Sequence, residues 1–207
     1  ISIPFSVLYL GTWLKHHGYE VEVIDGLTQP STRIFEERVL EGAKDAVAAA
    51  FSVMTPHVKD ALYLSKKIKA RYPRCATIWG GIHPTLFPDS TLADPAIDFV
   101  MYGEGEDGLL AMAKEITKES PDFAQVPGVG FKVNGKSKLT AFRTTVDVNK
   151  LPFPDYSLLQ PFEPYLIPRN MSRRKYHKEM FRFVSIHCGR GCPYDCGLCP
   201  DHEQHSC

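Results

Sequence analysis

The residues best able to do chemistry are cysteines gathered near the end of the chain. Five of the six cysteines lie within the last twenty residues, and Cys192, Cys196 and Cys199 form the centre of this group. Their C-x3-C-x2-C spacing allows three thiolates to hold three corners of a 4Fe–4S cube, which leaves one iron open to another ligand. Structural zinc remains an alternative, because other residues could complete a four-coordinate site: Cys188, His202, His205 and Cys207.

The distribution of the cysteines indicates their redox state. A disulfide framework would spread them through the chain, and only Cys75 lies away from the group. We therefore interpret the group as a metal or cluster site in a reducing compartment.

The elements before the cysteines must position them. Residues 181–186, FRFVSI, are predicted to form a strand that delivers the cysteine loop at its carboxyl end. Residues 151–168 contain five prolines, which exclude a continuous helix or a central strand. We predict three regions: an α/β domain over 1–150, a proline-rich linker over 151–180 and the start of a second domain over 181–207.

The first region alternates between helical and extended patterns. This alternation predicts a doubly wound α/β domain with a parallel, flavodoxin-like sheet whose first strand would precede Ile1. Asn134-Gly135 predicts a hairpin added at an edge of that sheet. Helices are expected near 4–17, 31–42, 55–72 and 109–116, and strands at 19–25, 46–53, 75–79 and 97–102. Ser31 or Thr32 is predicted to cap the second helix, and Thr55 the third.

Three turns follow predicted strands and precede helices. In an open α/β sheet, ligands bind beyond the carboxyl ends of the strands, and glycine allows backbone to approach a ligand closely. The candidate binding residues in these turns are Ser52, Thr55, Gly80, Gly81, His83, Thr85, Gly103, Glu104, Gly105 and Glu106.

Composition excludes several classes of function. The 207 residues include 24 Lys plus Arg and 24 Asp plus Glu, so no overall charge favours binding to nucleic acid or an anionic membrane. The apolar opening run is too short to span a bilayer and lacks the basic start of a signal peptide. We expect a cytoplasmic protein without a transmembrane segment. The chain begins at Ile1 and stops at Cys207, within the cysteine group, so we expect it to be part of a longer protein.

The motifs together resemble a known family. RGCPYDCGLC at 190–199 resembles the cluster loop of radical S-adenosylmethionine (SAM) enzymes, specifically the subfamily with an N-terminal cobalamin-binding domain. That subfamily has counterparts of PFSVLYL at 4–10, GGIHPT at 80–85, GEGE at 103–106 and LPFPDY at 151–156.

The resemblance implies cofactors and a reaction. The three turns would contact cobalamin, and the cysteines at 192, 196 and 199 would hold a 4Fe–4S cluster that binds SAM. Residue 181 would begin a partial (β/α) barrel. Reductive cleavage of SAM would generate a 5′-deoxyadenosyl radical, most often for methylation of an unactivated carbon and less often for ring closure or rearrangement. The implied partners are a small-molecule or lipid-like substrate and a one-electron reductant such as ferredoxin or flavodoxin.

Three alternatives remain open at this point. His83 could ligate cobalt, although His-Pro after Gly-Gly is more typical of a shaped loop. The tail also resembles the auxiliary-centre segment of radical SAM proteins such as tetraether lipid synthase, in which case the three cysteines would hold an auxiliary cluster. Finally, the chain could be a non-catalytic corrinoid-binding or α/β module with a zinc-stabilised tail. We expect these 207 residues by themselves to bind cofactors without turnover.

Overall fold

Helices alternate with the strands of a five-stranded sheet in the computed structural model, which describes residues 2–141, 146–166, 186–187 and 189–190. The helices are α1 (Phe5–His16), α2 (Thr32–Ala43), α3 (Val58–Arg71), α4 (Ile82–Leu86), α5 (Pro88–Leu92) and α6 (Glu106–Ile116). The strands are β1 (Ala48–Ser52), β2 (Ala76–Gly80), β3 (Phe99–Met101), β4 (Val129–Val133) and β5 (Lys136–Leu139).

The sheet is mixed, with strands in the order β1-β2-β3-β4-β5. The first three strands are parallel, whereas β4 is antiparallel to both of its neighbours. Asn134 and Gly135 have φ angles of 51° and 75°, the left-handed conformations that a two-residue hairpin turn requires. The parallel α/β core and the hairpin at its edge are therefore confirmed.

Apolar side chains cover both faces of the sheet. On one face, Ile78 of β2 packs in a cluster with Met101 of β3 and Met112 of α6. On the other face, Trp79 of β2 packs with Ala61 of α3. Adjacent residues of one strand thus bury their side chains under helices on opposite sides, as the doubly wound prediction requires.

The predicted strand at residues 19–25 is wrong. This segment has no ladder partner among the described residues, where β1 is an edge strand. Its alternation serves packing between two helices instead: Val21 and Val23 lie beside Gly11 of α1, and the next residues, Glu22 and Ile24, lie beside Gly42 of α2. Alternation with a period of two shows that an extended segment packs on both of its sides. Here the two sides pack on helices, and no strand pairing is needed.

Local signals for helix ends were partly correct. Ser31 accepts a hydrogen bond from the Ile34 amide at the start of α2, as predicted. The prediction that Thr55 caps the next helix is wrong, because a 3-10 turn over Thr55–His57 precedes α3 and the Thr55 side chain contacts another element. The glycine-rich turn after β2 is shorter than expected, since α4 begins at Ile82.

The described part of the proline-rich segment folds back against the first helix. Residues 146–166 contain three 3-10 turns and neither an α-helix nor a strand. Leu159 and Tyr165, 1% and 6% exposed, pack with Ile3 and Leu8. The Tyr165 hydroxyl donates to Asp25 Oδ2 at 2.7 Å. The described part of this stretch therefore packs on the domain, whereas its assignment as a linker and the domain boundaries stay predictions. The expected strand at 181–186 and the barrel beyond it lie outside the described residues, apart from 186–187 and 189–190.

Candidate functional site

The carboxyl ends of the three parallel strands form one edge of the sheet. Ser52 at the end of β1 is in register with Gly80 at the end of β2, and β3 ends beside them at Met101. Ser52, Met54 and Thr55 are exposed there, while Val53 between them is buried. The first turn therefore presents hydroxyl and thioether groups to solvent.

The first two turns are joined through their backbones at Gly81. The Val53 amide donates to the Gly80 carbonyl at 2.7 Å, and the Val53 carbonyl accepts from the His83 amide at 3.1 Å. Gly81 has φ 95° and ψ −174°, and a Cβ there would lie 3.0 Å from both the nitrogen and the oxygen of Val53. Only glycine allows this close approach, and Gly81 itself is exposed.

Side chains add a second connection between the same two turns. Thr55 Oγ1 lies 3.2 Å from His83 Nδ1, within hydrogen-bond distance. The Thr85 hydroxyl donates to the Gly81 carbonyl at 2.9 Å, so it stabilises the first turn of α4. Phe87 contacts the His83 ring, with 5.4 Å between centroids, and is 49% exposed. The result is a low surface with glycine backbone, hydroxyl groups and exposed apolar side chains.

The third turn is built differently. Gly103 has a φ of 74°, and a Cβ on Gly105 would lie 3.2 Å from a methyl carbon of Leu10 in α1. Glu104 Oε2 accepts from the Val146 amide at 2.6 Å. Glu106 is only 3% exposed. Both carboxylates bind Arg190, which lies 84 residues beyond Glu106 in the sequence.

The structure thus brings the predicted residues together in two sets. The first set, on the first two turns, is in mutual contact: Ser52, Thr55, Gly80, Gly81, His83 and Thr85. The second set, Gly103, Glu104, Gly105 and Glu106, follows the neighbouring strand, but its carboxylates contact the protein itself. The binding of cobalamin stays a prediction for the residues of both sets.

The proposed metal ligands lie outside the described residues, and they are Cys192, Cys196 and Cys199. Within the described ranges, no group of three His, Cys, Asp or Glu side chains is arranged to hold a metal ion.

Sequence reasoning missed several residues at this edge. Arg190 was noted only as part of a motif, and its position beside the cysteine loop was the available signal. The apolar residues Met54 and Phe87 were not selected as candidate binding residues. Met54 lies in the first turn and Phe87 follows α4, and both are exposed. No sequence signal connects His187 with Phe5, whose rings stack 4.3 Å apart.

The exposed edge fits a large planar macrocycle with polar groups around its rim. A side chain at position 81 would strike Val53, and the glycine found there is exposed to solvent. Ser52 and Thr55 offer hydroxyl hydrogen-bonding groups, and Met54, 50% exposed, offers an apolar contact. These properties match the cofactor that the resemblance implies.

A cavity at the opposite edge of the sheet is a poorer candidate. Its volume is about 490 Å³, and its lining includes Ala76 and Phe99 at the amino ends of β2 and β3. Lys69 in its wall is paired with Asp98 at 2.8 Å. Ligands of open α/β sheets bind at the carboxyl ends, so we place the site at the other edge.

The helices of the described ranges include none long and apolar enough to cross a membrane.

Known proteins are similar to this chain over most of its length. The chain is 26% identical over 203 residues to an uncharacterized methyltransferase of Pyrococcus horikoshii, covering 97% of this chain and 41% of that protein. It is 25% identical over 200 residues to the anaerobic magnesium-protoporphyrin IX monomethyl ester cyclase of Synechocystis, covering 95% and 37%. The chain therefore spans about two fifths of the length of these relatives.

A solved structure shares the fold. The radical SAM methyltransferase TsrM from Kitasatospora setae, with cobalamin and a [4Fe–4S] cluster bound, superposes with a TM-score of 0.58 and 20% identity, covering 68% of this chain and 28% of that one. The family model for the B12 binding domain matches residues 1–113. Since that match includes more than half of the 207 residues, the chain belongs to the B12-binding domain family.

Proposed function

We propose that this chain is the cobalamin-binding part of a radical SAM enzyme that methylates an unactivated carbon. The observation that carries the proposal is the close approach of Gly81 to Val53. It joins the first two turns into one exposed surface of backbone and hydroxyl groups at the carboxyl edge of the parallel strands. Family membership assigns cobalamin as the ligand class, and this is the edge where such sheets bind ligands.

The residues of the first two turns would hold the cofactor. Ser52 and Thr55 would hydrogen-bond to amides at the rim of the macrocycle, while Met54 would pack against its apolar surface. Gly81 would hold the first two turns close enough together to form one continuous surface. Bound cobalamin would supply a carrier for a methyl group that is taken from a second molecule of SAM and delivered to the substrate.

The cysteines at 192, 196 and 199 are the proposed cluster ligands. They would leave one iron coordination position open for the amino and carboxylate groups of SAM. The proposed reaction cleaves the carbon–sulfur bond of SAM with one electron, producing methionine and a 5′-deoxyadenosyl radical. A ferredoxin or flavodoxin of the cytoplasm would supply that electron.

The relatives favour methylation over ring closure. Among those described above, two are methyltransferases and one is a cyclase by name. We propose a small-molecule or lipid-like substrate, which other parts of the complete enzyme would select.

Cobalamin binding tests the first part of the proposal. The chain is mixed anaerobically with hydroxocobalamin, and bound cofactor is measured by its visible absorbance after gel filtration. Ser52→Trp should cover the exposed edge with an indole ring and weaken binding by about tenfold or more, because the ring displaces the macrocycle without entering the core. Ser137→Trp, at another exposed position on β5, is the matched control and should bind like the unmodified chain. Equal binding by both variants, or no binding by the unmodified chain, would refute the assignment.

Reconstitution with iron and sulfide tests the cluster. A brown protein that loses its absorbance when Cys196 is replaced by alanine supports the enzyme function. A colourless protein that binds one zinc would refute it and favour the non-catalytic module.

A further inference from the structure

Arg190 connects the region of the cysteines to the cobalamin-binding domain. Its Nη1 lies 3.5 Å from Glu104 Oε1, and its Nη2 donates to Glu106 Oε1. Both glutamates follow the carboxyl end of β3, so the contact lies at the same edge of the sheet as Ser52 and Gly81. In the sequence, Arg190 precedes Cys192 by two positions.

This contact is largely removed from water. The side chains of Glu104, Glu106 and Arg190 are 9%, 4% and 22% exposed. Burial lowers the pKa of Arg190, but the hydrogen bond to Glu106 and the charges of both glutamates outweigh it, so the pKa lies above its ordinary value. The guanidinium therefore stays charged and compensates two buried carboxylates.

Glu106 depends on Arg190 in particular. Its Oε2 is buried and has no hydrogen-bond partner among the described residues. Loss of Arg190 would leave this carboxylate without its charged partner in a region of low water access, which is strongly unfavourable. Lysine would be a poor substitute, because one ammonium group cannot reproduce a planar fork that reaches two carboxylates.

Aromatic contacts extend the same interface onto α1. The guanidinium carbon of Arg190 lies 5.2 Å from the ring centroid of Tyr9. The His187 ring stacks on Phe5 with 4.3 Å between centroids. The third turn contacts α1 through Gly105, so α1, this turn, His187 and Arg190 meet in one place.

We propose that Arg190 is a positioning residue that fixes the start of the cysteine loop against Glu104 and Glu106, beside the cobalamin-binding surface. The role of the loop as cluster carrier rests on the function proposed above. The contact itself depends only on residues that the structure describes. Arg190 acts through the backbone that it anchors, and it is not assigned any contact with a cofactor or substrate.

Hydrogen–deuterium exchange tests the contact in the absence of cofactors. Arg190→Gln should accelerate amide exchange in the peptides containing residues 103–108 and 186–190 by about tenfold, because the buried pair no longer holds them together. Adding Glu106→Gln to that variant should slow the exchange again, since it removes the uncompensated charge. Arg33→Gln is the matched control, because Arg33 is 87% exposed and pairs with Glu37 of its own helix. Unchanged exchange in Arg190→Gln would overturn the proposal, as would a double variant that exchanges faster than the single one.

Iron release tests the positioning of the loop. In the reconstituted chain, a ferrous chelator should extract iron about tenfold faster from Arg190→Gln than from the unmodified protein, and Arg190→Lys should fall between them. Cobalamin binding should change less than twofold in both variants, because the first two turns are intact. Identical rates of iron release would overturn the positioning role. If the unmodified chain binds neither cofactor, the proposed function fails, whereas the exchange experiment still decides whether Arg190 anchors this segment.

Discussion

Replacing Gly81 by alanine tests the close approach of Gly81 to Val53, on which the candidate surface depends. The φ of 95° and ψ of −174° fall in a region that only glycine occupies readily, which costs any other residue roughly 1–3 kcal/mol. The added Cβ would also lie 3.0 Å from the nitrogen and the oxygen of Val53. Both atoms hydrogen-bond across this edge, to Gly80 and His83, so they cannot move away without weakening those bonds.

The expected cost follows from these two terms. Conformational strain and the forced shift of Val53 together should destabilise the chain by about 3 kcal/mol. For a domain of this size, that loss corresponds to a fall in melting temperature of roughly 6–12 °C. The cobalamin affinity should fall as well, because the forced shift of Val53 would distort the first two turns.

Gly18→Ala is the matched control. Gly18 has a φ of 86°, but a Cβ there would meet no atom of the described residues within 4 Å, so we expect its replacement to involve conformational strain alone, about 1 kcal/mol. Urea unfolding followed by circular dichroism compares the free energies of unfolding of the two variants. If Gly81→Ala is no less stable than Gly18→Ala, the close approach to Val53 does not constrain this edge and the reasoning is refuted.

Two further predictions concern the segment that follows the hairpin. Leu159→Ala should destabilise the protein by about 2–4 kcal/mol, because it empties a fully buried position beside Leu8; a melting temperature equal to that of the control Leu139→Ala, at a 41% exposed position, would contradict this packing. The hydrogen bond from Lys15 lowers the pKa of Asp155 to about 2. Because this pKa is depressed in the folded state, the stabilisation is present above about pH 4 and is lost as the pH falls toward 2. Asp155→Asn should therefore reduce the free energy of unfolding at pH 7 by less than about 1 kcal/mol, since the Lys15–Asp155 pair is partly exposed. The difference between variant and unmodified protein should shrink as the pH falls from 4 and disappear below about pH 2, and a constant difference across that range would exclude the ion pair as its source.

Local signals in the sequence accounted for most of the fold. The Asn134-Gly135 pair predicts a hairpin because two adjacent residues must adopt positive φ, and both do. Ser31 predicts the start of α2 because its side chain can satisfy an orphan amide, and it accepts a hydrogen bond from Ile34. Such signals succeed when the interaction lies within a few residues of chain.

The same kind of reasoning failed where the partner is distant. The alternation of residues 19–25 is equally compatible with a paired strand and with an extended segment between two helices, and only the positions of α1 and α2 distinguish them. Thr55 was expected to cap a helix, yet its hydroxyl lies beside His83, 28 residues away. The local alternatives have similar energies, so tertiary contacts decide between them.

For the site, chain order was enough to predict the edge of the sheet where the candidate residues lie. Parallel strands that alternate with helices bring their carboxyl ends to one edge, so the turns containing Ser52, Gly81 and Glu106 could be assigned to it from their order. The differences between these turns are visible only in the folded protein. The first two form an exposed surface around Gly81, while the third encloses Glu106 and binds Arg190 across 84 residues. Chain order specifies the end of the sheet at which a residue lies, but burial and charge pairing depend on distant segments that meet only in the folded protein.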